Sequence, residues 1–140
     1  MAGDRHHFGV YGIWQQSGRI VLVRKTRGPY KGLLDLPGGS PERDESELAT
    51  LSRELQEECG VELARTISSA HFEIRVDRDS TGQPIDFLHV GVISHVEVAG
   101  SARSINDEDV AGVVLATAEH AKQFSPLVLE ALRCFPELRR

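Results

Sequence analysis

Three glutamates, Glu54, Glu57 and Glu58, stand within a stretch of five residues. In a helix turning about 100° per residue, Glu57 falls near −60° and Glu58 near +40° from Glu54. Leu48, Leu51, Leu55 and Cys59 recur at steps of three and four on the adjoining face, the pattern of a helix packed against a core. Carboxylates crowded this way repel by roughly 0.2–0.5 kcal/mol per pair even when solvated. Arg53 is the nearest cation, and its helical direction lies about 100° from Glu54. A hard divalent cation, Mg²⁺ or Mn²⁺, would neutralise the cluster, because such ions take carboxylate and phosphate oxygens as ligands. For the three glutamates alone, a solvated acidic stripe is the competing explanation.

The elements that must position these carboxylates follow from periodicity and turn residues. Residues 40–59 read as the acidic helix, with Gly60 as its stop. Residues 8–16 and 19–25 read as a hairpin turned by Ser17-Gly18, and 33–36 as a short apolar segment ending at Pro37-Gly38-Gly39. A second strand pair is expected over 67–78 and 87–98, then a polar loop over 100–109 and a last strand over 110–115. A short helix over 117–122 and a longer one over 126–135, capped by Ser125, complete the chain. The sum is an α/β domain with a mixed sheet and about two main helices.

Spelled out as Gly39-x5-Glu45-x7-Arg53-Glu54-Leu55-x-Glu57-Glu58-x-Gly60-Val61, residues 39–61 resemble the Nudix box at all nine specified positions. A chance match anywhere in such a chain is on the order of 10⁻⁸ with ordinary residue frequencies. The resemblance implies a MutT-like Nudix hydrolase: one Nudix domain over 1–140, an α/β/α sandwich with a mixed sheet. It also implies Mg²⁺- or Mn²⁺-dependent hydrolysis of a pyrophosphate bond in a nucleoside diphosphate linked to another group. Glu54, Glu57 and Glu58 become metal ligands and catalytic residues, joined by the backbone carbonyl of Gly38. Glu45 and Arg53 become an ion pair tying the helix to its loop, and Gly39 and Gly60 supply backbone freedom. Subfamily marks are mostly missing: Asp77 stands where an ADP-ribose pyrophosphatase usually has proline, and Arg78 and Asp79 where dinucleoside polyphosphate hydrolases have tyrosine. Elimination leaves a nucleoside triphosphate pyrophosphohydrolase. An ADP-ribose or nucleotide-sugar hydrolase and a non-catalytic nucleotide sensor stay open.

Outside the box, Arg24, Lys25, Arg27 and Lys31 place four cations in eight residues. All four could grip substrate phosphates, with Arg24, Arg27 and Lys31 the leading candidates; a solubilising loop is the alternative. In Asp107-Glu108-Asp109, Glu108 is the candidate for a further acidic ligand or general base, with Glu97 as its rival. Trp14, Tyr30, Phe72 and Phe87 could stack on a base, although strand aromatics more often fill cores. His71 and His89 read as structural, and Cys59 as a small hydrophobe.

Composition narrows the function further. The 140 residues (15.4 kDa) carry 16 Lys+Arg and 21 Asp+Glu, a formal net charge of −5. Between Glu42 and Glu58 stand seven acidic and two basic residues, the whole net charge of the chain. That imbalance argues against a nucleic-acid binder. No apolar run is long enough to span a membrane, and no apolar signal core opens the chain. Two cysteines cannot make a disulfide scaffold. The expected setting is cytoplasmic. The expected partners are a nucleotide substrate and a second copy of the chain, with no nucleic-acid polymer and no membrane.

Overall fold

The computed structural model describes residues 5–105 and 108–139, Arg5 by its backbone alone. Two four-stranded sheets share the chain. The first has the order β5-β1-β7-β6, built from β1 (Arg5–Ile13), β5 (Gly38–Gly39), β6 (Glu62–Arg78) and β7 (Pro84–Ala99). It is mixed, because β1 runs parallel to β7 while the other pairs are antiparallel. In the second, β3 (Arg19–Lys25) pairs along its length with β8 (Val110–Ala116), and on its other edge with β2 (Gln15–Gln16) and β4 (Leu34–Asp35). Helices α1 (Glu47–Cys59) and α2 (Pro126–Cys134) pack on opposite sides.

Two apolar clusters explain this layering. Leu51, Leu55 and Cys59 of α1 meet Val10, Trp14, Val21 and Val23. Leu127, Val128 and Ala131 of α2 belong to the other cluster, with Ile13, Ile20, Leu22 and Ile93. Alternate residues of β1 and β3 thus enter opposite clusters, so both strands are buried on both faces. That is why the expected hairpin over 8–16 and 19–25 forms only in part. The chain changes sheet at Trp14, and only Gln15 and Gln16 pair with β3, through Ile20 and Arg19. The second hairpin is longer than its periodicity suggests, because three register shifts interrupt the alternation. Gly9 faces Gly91 across β1 and β7, and a Cβ on Gly91 would run into the Gly9 carbonyl.

The acidic helix begins at Glu47, seven residues later than expected. Asp44 takes φ 64°, outside helical space, and the Ser46 side chain caps the helix by accepting the Ala49 N–H at 3.1 Å. Leu48 is consequently 60% exposed instead of joining the core. Gly60, at φ 69°, closes the helix in the left-handed conformation as expected.

Ser125 caps α2 as expected, accepting the Val128 N–H at 3.2 Å, and its hydroxyl also donates to buried Asp35 at 2.7 Å. Ser125→Ala should therefore cost about 2–3 kcal/mol, the loss of a cap plus one of the hydrogen bonds that a buried carboxyl accepts. Urea unfolding measures this; a cost no larger than that of an exposed cap would show that the Asp35 bond is unimportant. No helix among the described residues is long and apolar enough to cross a membrane.

Candidate functional site

The carboxylate face of α1 looks onto the short strand β5. Glu58 is 2% exposed and accepts the Gly38 N–H at 3.1 Å, which fixes that peptide against the helix. A Cβ on Gly39 would collide with the Glu54 carboxylate, so a larger residue there would displace that side chain. Glu57, one turn on from Glu54, is half exposed.

Arg53 reaches further than its helical direction suggests, which corrects the expectation of three unrelieved glutamates. Its Nη1 lies 3.1 Å from Glu57 Oε1 and 3.3 Å from Glu54 Oε2. A long flexible stem carries the guanidinium around the helix, so the direction of the Cα–Cβ bond does not limit its contacts. The same group clamps Glu45 through Nε at 2.8 Å and Nη2 at 2.9 Å, the helix-to-loop tie that the resemblance implies. Arg53 holds the Glu45 carboxyl down at about 2. Glu54 goes the other way, to about 7: burial dominates, and Glu57 and Asp109 add to it against Arg53.

Two contiguous hollows open beside this helix. A polar cleft of about 380 Å³ is lined by Gly38, Gly39, Glu42, Arg53, Glu54 and Glu57, with Lys25 and Asp109 facing them. A cavity of about 420 Å³ adjoins it, with Tyr30, Phe87, His89, Asp35, Arg27 and Pro29 among its walls. His7, Tyr11, Lys25 and Asp109 line both, which makes the two one continuous depression.

The other candidates separate on this geometry. Arg27 lines the aromatic cavity and pairs with Asp109 at 2.5 Å and Glu108 at 3.3 Å. Glu108 itself points outward, 85% exposed, and Asp109 is the acid that lines the cleft. Asp107 lies outside the described residues. Glu97 is paired with Arg65 at 2.7 Å, and lines a separate hollow near Trp14. Arg24 donates to Gly32 O and Gln123 Oε1, both at 2.9 Å, and with exposed Lys31 lines neither hollow. Lys25 takes the central place instead. Strand parity holds the signal: Lys25 follows Val21 and Val23, which pack toward α1, whereas Arg24 follows Ile20 and Leu22 toward α2.

Of the aromatics, Tyr30 and Phe87 reach the cavity; Phe72 packs behind it, 5.0 Å from the His89 ring centroid, and Trp14 lies in the α1 cluster. His89 is buried as expected, yet it also walls the cavity. Cys59 is fully buried, its thiol pushed up to about 12 by burial and Glu58, as suits a small hydrophobe. Among the described residues, no three His, Cys, Asp or Glu side chains converge on one point. The donors nevertheless suit a hard cation: carboxylate and carbonyl oxygens, and a backbone cradle that a Cβ would fill.

An acidic helix facing a glycine strand, in an α/β fold with a mixed sheet, is the arrangement that the resemblance over residues 39–61 implies. The family model of the NUDIX domain matches residues 3–138, and the chain belongs to that family. Over 81 residues, 58% of this chain, it is 31% identical to the ADP-ribose pyrophosphatase of Methanocaldococcus jannaschii. That match spans 47% of the relative, so the chain covers less than half of its length. A MutT NUDIX hydrolase from Burkholderia pseudomallei superimposes with a TM-score of 0.71 at 21% identity, over 93% of this chain and 98% of that one. The NUDIX domain of Shewanella oneidensis NrtR, in complex with ADP ribose, gives 0.65 at 19% identity, over 98% and 89%. At these identities the two structures speak to the fold.

Proposed function

We propose that the chain hydrolyses the pyrophosphate bond of a nucleoside diphosphate linked to another group, with Mg²⁺ or Mn²⁺ held in the polar cleft. The observation that carries this reading is the continuity of an acidic cleft with an aromatic cavity through Lys25. The aromatic cavity has the size and walls for a nucleoside. The phosphates then cross Lys25 and meet the carboxylates.

Glu54, Glu57 and Glu58 would hold the cation, together with the Gly38 carbonyl; Glu58 also accepts the N–H of Gly38, which anchors the residue that carries that carbonyl. When bound, such a cation neutralises phosphate charge and lowers the pKa of a coordinated water. Arg53 keeps the carboxylates placed and ties them to the loop. Lys25 contributes a compact positive charge to the phosphates. Arg27 holds Asp109 and Glu108 at the rim, where an acid can orient the attacking water.

Lys25→Ala should raise KM by about 10-fold and change kcat little, because one half-buried charge–phosphate contact is worth roughly 1.5 kcal/mol. An unchanged KM would remove Lys25 from the phosphate path.

A nucleoside triphosphate is the substrate favoured by elimination of subfamily marks. ADP-ribose is the second reading, favoured by the methanococcal relative. Incubation with Mg²⁺ or Mn²⁺ and a panel of nucleoside triphosphates, ADP-ribose and nucleotide sugars, with products resolved by chromatography, decides between them. Release of a nucleoside monophosphate supports hydrolysis and identifies the substrate. Tight binding with no product from any of them would leave a nucleotide sensor.

A further inference from the structure

One buried group in the aromatic cavity has no part in the hydrolysis described above. His89 is 2% exposed, and both its ring nitrogens are engaged: Nε2 lies 2.8 Å from the Tyr11 hydroxyl and Nδ1 2.9 Å from the Tyr30 hydroxyl. All three side chains wall the cavity. Phe72 and Phe87 pack on the imidazole at centroid distances of 5.0 and 5.6 Å, which fixes its plane. The site is built around this contact. A Cβ on Gly9 would run into the Tyr11 ring and hydroxyl, so glycine there leaves room for Tyr11 to reach the histidine.

A neutral imidazole has one N–H donor and one acceptor nitrogen. One tyrosine must therefore accept from His89 while the other donates to it. The accepting tyrosine keeps its own O–H free, and the donating one keeps an oxygen lone pair. Moving the imidazole proton from one nitrogen to the other exchanges these roles without moving a heavy atom.

We propose that His89 is a positioning residue that lets Tyr11 and Tyr30 act as an interchangeable donor–acceptor pair, reading the edge of the nucleobase in this cavity. The proposal rests on the nucleoside occupying the aromatic cavity. Its chemistry fits bases of opposite polarity: adenine offers a donor at its 6-position beside the N1 acceptor, and guanine an acceptor at the 6-position beside the N1–H donor. One tautomer of His89 suits each. The relay therefore accepts both bases while requiring a paired donor and acceptor on the ring edge. Burial, with His7 and Lys25 nearby, keeps the imidazole neutral, and burial beside Asp35 keeps both tyrosines protonated.

Side-chain nitrogen NMR of ¹⁵N-histidine-labelled protein tests this with AMP and GMP as probes, in Mg²⁺. Saturating AMP and GMP should drive His89 to opposite tautomers. Purine riboside monophosphate, which lacks the 6-substituent, should bind about 3- to 10-fold more weakly than either. In Tyr30→Phe, which keeps the ring, that preference should shrink for both bases. The same tautomer with AMP and GMP, or no preference over purine riboside monophosphate, would overturn the relay. Nucleotide hydrolysis in the panel with an unresponsive His89 would sink the relay alone. A responsive His89 with no hydrolysis of any panel member would sink the hydrolase reading and leave the relay standing.

Discussion

Turnover is expected to fall by about 10²–10³-fold when Glu57 is replaced with glutamine, with the fold retained. The amide keeps the size of the side chain and removes the negative charge that would hold a divalent cation. Metal chemistry at a phosphate supplies several kcal/mol of transition-state stabilisation, and each 1.4 kcal/mol is about tenfold in rate. The structural cost is small because Glu57 is half exposed and pairs with Arg53 across one helical turn at 3.1 Å, an arrangement worth at most a few tenths of a kcal/mol. Far-UV circular dichroism and thermal melting should therefore match the parent protein while product formation collapses. Glu58→Gln makes a useful partner, since its amide carbonyl can still accept the Gly38 N–H. A Glu57→Gln protein with parental Mg²⁺-dependent turnover would mean that the acidic cleft is not where the cation acts.

How far the site can be read from the chain depends on which physical signal places each residue. Glu54, Glu57 and Glu58 are legible because a helix converts spacing into direction, and the leucines beside them identify the buried side. The start of that helix is not legible from charge, since acidic residues suit both a first helical turn and the capping loop before it. Ser46 and the positive φ of Asp44 decide the boundary. Arg53 escapes a helical wheel because the wheel follows Cβ directions, and a guanidinium reaches several ångströms beyond them. In the basic loop, counting cations gives no preference among Arg24, Lys25, Arg27 and Lys31. The two-residue period of β3 separates Lys25 from Arg24, once the strand is known to be buried on both sides. Asp109 and Glu108 are adjacent in a loop, where no period sorts them; the Arg27 contact and the pairing of Val110 with Lys25 do. The split into two sheets is also hidden, because it turns on long-range partners of β1 that no local pattern encodes.

Acid should weaken the fold through His89, and the sign can be isolated with a single variant. Burial, followed by His7 and Lys25, pushes this imidazole from 6.5 to about 3. The unfolded chain thus binds a proton below pH 6.5 that the folded protein refuses. The stability contribution is fully present above pH 6.5 and is lost as the pH falls toward 3. By about pH 4 the loss amounts to roughly 3 kcal/mol. Glu54 and Asp35 run the other way, because burial raises both in the folded state and their protonation in acid relieves it. Bulk stability against pH therefore mixes opposing slopes, and a direct comparison with His89→Phe separates them. The phenyl ring fills the space between Phe72 and Phe87 but leaves the Tyr11 and Tyr30 hydroxyls without their partner, a cost of about 2–4 kcal/mol near neutrality. It has nothing to protonate. Urea unfolding at pH 7 and pH 4 should show that penalty shrink by roughly 3 kcal/mol in acid, because the parent protein loses what the variant never had. A penalty equal at both pH values would mean that His89 is protonated in the folded state as easily as in the unfolded chain. The two tyrosine contacts would then not depend on a neutral ring.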